Sequence, residues 1–127
     1  LICTHTGAAA VTKSWRNLDD AQLRAVADTG GVIGVIFHGQ YVGGGYFTGG
    51  PVARVAEHIA HVIGTVGAEH TALGSDWDGA IITPSDMRTC LELPRLVQAL
   101  LDRHVTVDAI QSVLGGSFLR ALSLLRS

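Results

Sequence analysis

Cysteine is scarce in this chain: Cys3 and Cys90 are its only two, in unrelated surroundings. Two isolated thiols exclude a disulfide scaffold and a CxxC zinc site, and they suit a reducing, cytoplasmic compartment. An excess of charge of one sign is also missing. Nine basic residues against eleven acidic ones give a formal net charge of −2. There is no basic stripe to follow a phosphate backbone, so nucleic acid is not an expected partner. No apolar run approaches the ~20 residues that span a bilayer, so a membrane is not expected either. What is plentiful is apolar side chain, 47% of 127 residues. That is enough for one domain with a real core and too much for a disordered chain. The chain opens directly on the strand-like run LICTHTG, which reads as part of something longer. Residues 1–127 are therefore expected to form a single partial domain.

Strand-like and helix-like segments alternate. Leu1 to Thr4 reads as a short buried strand ending at His5, and Gly7 to Trp15 as a loop. Asn17 resembles a helix N-cap, with Leu18, Leu23, Val26 and Ala27 on the apolar face and Gly30-Gly31 as the stop. VIGVIF, residues 32–37, is almost wholly apolar, as in a strand covered on both faces within a parallel sheet. Residues 38–50 form a long glycine-rich loop. Pro51 opens a helix whose buried face is Val52, Val55, Ala56, Ile59, Val62, Ile63 and Val66. Residues 71–74 form a third strand, and helices follow over 94–101, 106–114 and 117–125, the last two separated by Gly115-Gly116. The order β-α-β-α-β-α predicts parallel βαβ units. Three strands cannot close a barrel and leave two open edges.

In parallel α/β folds the carboxyl ends of the strands share one face, which carries the site. His5, Arg16, Tyr41 and Asp76 are expected to converge there. His5 suits a metal ligand through a neutral imidazole, or a strand-end hydrogen bond. Asp76 suits a base that orients a metal-bound water, or a cap on the following turn. Asp78 fits the second of these roles, and Trp77 fits packing. Arg16 suits bidentate capture of a carboxylate, or an ion pair with Asp19 or Asp20. The EHIAH segment sets its histidines three apart with the glutamate ahead of them, unlike the HExxH zinc helix, so His58 and His61 read as surface or helix-packing residues. The glycines at 43–45 and 49–50 match neither phosphate-binding pattern.

With these residues in place, the chain resembles the C-terminal part of the membrane dipeptidase (renal dipeptidase-like, peptidase M19) family over nearly all its length. THTGAAAVTKSWRN resembles that family's S-H-S segment followed by R-N. HIAHVIGTVGAEHTALGSDWDG resembles its helix, strand and GSD-F-DG signature, and VLGGSFLRAL its closing run. The resemblance implies strands 6–8, with their helices, of a (β/α)₈ TIM barrel of the metallo-dependent hydrolase type. It implies zinc-dependent dipeptide hydrolysis at a two-zinc site, of which this chain carries at most a partial one. By the same resemblance His5 ligates the second zinc, Arg16 binds the substrate's C-terminal carboxylate, Tyr41 lines the pocket, and Asp76 contacts the metal-bound water. The family's His-x-Asp pair, bridging glutamate and preceding histidine have no counterpart here. The isolated chain is therefore expected to be inactive. Its expected partners are a dipeptide and either the missing N-terminal part of the barrel or a second copy of itself. Two other readings remain: a non-catalytic half-barrel that pairs through its open edges, and a small phosphate-binding α/β domain.

Overall fold

A computed structural model describes residues 1–126. Its elements follow the expected alternation: β1 (Ile2–Thr6), α1 (Asp20–Asp28), β2 (Val32–Val35), α2 (Gly39–Val42), α3 (Val52–Val66), β3 (Thr71–Leu73), α4 (Leu93–Asp102), α5 (Val107–Gln111) and α6 (Ser117–Leu124). The strands form one parallel sheet in the order β1-β2-β3. All four residues of β2 are buried. Alternation sends Ile33 and Val35 into the main core with Leu23, Val55, Ile59 and Val62 from α1 and α3. Val32 faces the other way and meets Ala72 and Ala121 under α6. Both faces of the central strand are covered, which explains why its sequence lacks polar alternation.

The helix boundaries show where local chemistry overrode the pattern. α1 is capped by Asp19, not Asn17. The Asp19 side chain accepts from the Gln22 amide, and the Gln22 side chain accepts from the Asp19 amide. That reciprocal box satisfies two donors at once, and it leaves Asn17 free to be buried nearby. α3 starts just after Pro51, and its Val52 amide donates to Asp86 Oδ1 at 2.7 Å. His58 belongs to the buried face of α3 and is 0% exposed, so it is not a surface residue. The 38–50 loop holds the single turn α2. A wide turn at 112–116, around Gly115, redirects α5 into α6. None of the described helices is long and apolar enough to cross a membrane.

The amino ends of the strands are closed by α6. Arg120 donates from Nη1 to the Gly30 carbonyl at 3.1 Å, and from Nη2 to the Gly31 and Glu69 carbonyls at 3.3 and 2.7 Å. The Ser117 hydroxyl donates to the Ala68 carbonyl at 2.7 Å. One guanidinium thus gathers carbonyls from the turns that lead into β2 and β3.

Candidate functional site

Parallel pairing carries the ends of all three strands to one rim. The register of β1 against β2 slips between Cys3 and Thr6, so Thr4 and His5 together face the single Gly34. An extra residue of this kind re-aims a side chain near a strand end. A Cβ at Gly34 or at Gly74 would collide with the Thr4 carbonyl oxygen, and one at Gly74 would also stand 3.0 Å from His5 Cα. Two glycines therefore let the ends of β1 and β3 draw together across β2. A glycine inside an apolar strand was the available sequence signal for such an approach.

His5 is half-buried, and its Nδ1 lies 2.8 Å from Thr4 Oγ1, which leaves Nε2 for another partner. Arg16 Nη2 donates to the His5 carbonyl at 3.0 Å, and the Thr6 hydroxyl donates to the Arg16 carbonyl at 3.2 Å. The anticipated surface ion pair does not form. Asp19 caps α1, Asp20 meets His61 at 2.8 Å, and among the described residues Arg16 makes no ion pair. Burial pushes the Cys3 thiol up, opposed by the nearby Arg16 charge. The guanidinium is thus tied by one arm to the strand end.

Tyr41 lies in α2, half-buried, with its ring edge-on to His38 at 4.8 Å between centroids. Asn17 ties this turn to the β1 loop. Its Oδ1 accepts from the Gly7 amide at 3.1 Å, and its Nδ2 donates to the Thr12 and Tyr41 carbonyls, each at 2.8 Å. A buried amide that joins three backbone segments organises the rim, and its sequence context suggested only a cap.

Asp76 follows β3 with φ 59°, a left-handed conformation that aspartate tolerates better than most residues. Its carboxylate lies over Gly79, where any Cβ would collide with it, and the Gly79 amide donates to the Asp76 carbonyl at 2.9 Å. The first acid of SDWD therefore shapes the turn, while Asp78 is exposed. Among the described residues Asp76 makes no hydrogen bond to His5, Arg16 or Tyr41. Trp77 packs edge-on against Phe37 at 5.2 Å. Its Nε1 and His38 Nδ1 are both buried without a partner.

On α3 the two histidines diverge. His61 reaches Asp20 on α1, and His58 points inward to Ala8 and Thr12. Burial, helped by the Arg54 charge, lowers the His58 pKa to about 4. Among the described residues no group of three or more histidines, cysteines or acids could hold a metal ion. A catalytic zinc takes about three protein ligands, so His5 offers one donor, and these residues alone do not form a metal site. The glycine-rich loop folds back on itself. The Gly39 amide donates to the Ile82 carbonyl and the Gly44 amide to the Gly39 carbonyl, and Gly39 packs against Gly49. A cavity of ≈ 110 Å³ lies at the other end of the sheet beside Leu1, Gly31 and Ala121.

Comparison with known proteins gives the same picture. The family model described as membrane dipeptidase (peptidase family M19) matches residues 1–126. The Klebsiella pneumoniae "uncharacterized protein in pqqA 5'region" is 36% identical over 124 residues, covering 96% of this chain and 45% of that protein. The dipeptidase aclJ of Aspergillus oryzae is 34% identical over 94% of this chain and 28% of its own length. Among solved structures, a Rhodobacter sphaeroides metallo peptidase liganded with a phosphinate mimic of L-Ala-D-Ala superposes with a TM-score of 0.87. It is 28% identical, over 97% of this chain and 35% of its own. The chain spans less than half the length of each of these proteins.

Proposed function

The chain belongs to the membrane dipeptidase family, peptidase family M19, and from that premise we propose that it forms one sector of a dipeptide-hydrolysing site, built on strands 6–8 of a (β/α)₈ barrel. The observation that carries this reading is the shared rim. Three parallel strands end together: His5 lies in β1 with Arg16 bonded to its carbonyl, Tyr41 lies in the helical turn after β2, and Asp76 follows β3.

Each side chain has a task its chemistry suits. Arg16, unpaired with any described acid, binds the free carboxylate of a dipeptide through its planar fork. Tyr41 walls the pocket beside it. Asp76 accepts a proton from the attacking water, once its carboxylate swings off Gly79. His5 supplies one metal donor through Nε2, with Nδ1 oriented by Thr4. Residues outside this chain's 1–127 complete the coordination of zinc. No hydrolytic step is assigned to the sector alone, because its donor set is incomplete. The test is an assay of the isolated chain against several dipeptides, with and without added zinc. No turnover is expected, and clear zinc-dependent turnover would overturn the partial-site reading.

A second reading follows from the two open sheet edges: a non-catalytic module that pairs through them. It predicts a stoichiometric complex of this chain with a strand-donating partner and no loss of that pairing when Arg16 is replaced. The phosphate-binding alternative has less support, because the Gly43 and Gly44 amides both turn to the Gly39 carbonyl.

A further inference from the structure

His58 is a fully buried titratable side chain that the proposed chemistry leaves unused. It bridges two points of the loop after β1, fifty positions away in sequence. The Ala8 amide donates to Nδ1 at 2.9 Å, and Nε2 lies 3.1 Å from Thr12 Oγ1. An amide N–H only donates, so Nδ1 is bare and the ring proton sits on Nε2, donated to Thr12. Arg54 Nη2 reaches the same hydroxyl at 3.4 Å, while its Nε donates to the Val42 carbonyl at 3.2 Å. Beyond Thr12, Asn17 fixes the loop to Gly7 and Tyr41, and Arg16 ends it on the His5 carbonyl. A ring that only filled the core would need neither nitrogen. This one spends Nδ1 on the segment that leads to Arg16, and its Nε2 side lies between Thr12 of that segment and the Val42 backbone.

We propose that His58 is a positioning residue: its neutral, Nε2-protonated ring clamps Ala8 and Thr12, and so sets where the Arg16 guanidinium stands on the rim. The low pKa agrees with a neutral ring near neutral pH. The use of Arg16 as a carboxylate anchor rests on the proposed function. The clamp itself does not.

The experiment uses the full chain, nitrogen-15 labelled, near pH 7. The His58 ring should show a bare Nδ1 and a protonated Nε2, and the opposite tautomer or an imidazolium would overturn the clamp. Three variants follow. His58→Leu removes both bonds. His58→Asn puts an amide oxygen near the Nδ1 position. Thr12→Val removes the Nε2 acceptor at nearly constant shape and keeps the test open should His58→Leu unfold. Ala8 amide exchange should quicken about tenfold in His58→Leu, the loss of roughly one net hydrogen bond, and be largely restored in His58→Asn. The Arg16 Nε–H resonance should broaden or shift in His58→Leu and in Thr12→Val. Folded variants with protected β2 amides and an unchanged Arg16 resonance would sink the proposal. If the Arg16 signal moves in the variants and added dipeptide leaves it unmoved in the parent chain, the clamp stands and the carboxylate role of Arg16 falls.

Discussion

A buried histidine held neutral makes folding depend on pH in a definite direction. The His58 pKa falls from 6.5 to about 4 on folding, so the unfolded chain binds more protons between those values. Stability from this group is complete above about pH 6.5 and is lost as pH falls toward 4, below which it loses no more. The shift corresponds to about 3 kcal/mol at most. Urea unfolding at pH 7.0, 5.5 and 4.5 should show the decline, and His58→Asn should flatten it. A decline of equal steepness in that variant would assign it to other groups. At Arg16, replacement by methionine removes a fork but little volume. In a complete enzyme carrying this sector, KM should rise by about tenfold or more with kcat changed less if Arg16 holds the carboxylate in ground and transition states alike, as proposed. An equal fall in kcat would place Arg16 closer to the reacting atoms. His58 was within reach of the sequence. It stands three after Val55 and four before Val62, on the apolar stripe of α3, so its position argued for burial while its polarity argued for the surface. The orientation of Asp76 was not within reach, because it depends on a left-handed backbone and on Gly79 three residues later.

Elements were more legible than their ends. VIGVIF identified β2 because a strand covered on both faces has no polar side to show. The stripe on α3 identified that helix because 3.6-residue periodicity survives a single histidine. The start of α1 went to Asn17 instead of Asp19, although D-x-x-Q at residues 19–22 is a capping-box pattern. Two candidate caps lay close together, and long-range bonds from Gly7, Thr12 and Tyr41 claimed one of them. The bulge in β1 left no local trace, since it arises from pairing with Gly34. Loss of the α1 cap is local, and Asp19→Ala should cost about 1 kcal/mol in chemical denaturation. Arg120→Met should cost more, about 2–3 kcal/mol, because three carbonyls at the closed end of the sheet lose a charged donor. A smaller loss for Arg120 than for Asp19 would mean that water replaces the guanidinium without penalty.

At the scale of the whole molecule, the parallel order and the common rim followed from alternation alone. The barrel stays a proposal that rests on the family motifs, since three strands are compatible with several architectures. The outer sides of β1 and β3 have no strand partner among the described residues, and Phe118, Leu119 and Leu125 of the C-terminal segment are exposed. Unpaired edges beside apolar surface favour association. Light scattering after gel filtration should give a mass that climbs with concentration, and a constant monomer mass across a hundredfold range would show the edges to be protected. Where Gly34 and Gly74 bring bare backbones together beneath His5, the floor of the rim offers no side chain to vary. Directed evolution has only the walls to work with. Saturation libraries belong in residues 9–11, 46–48 and 80–82, and clones altered at the glycines 34, 44, 49, 74 or 79, where a Cβ meets backbone or the Asp76 carboxylate, will drop out before any function is tested.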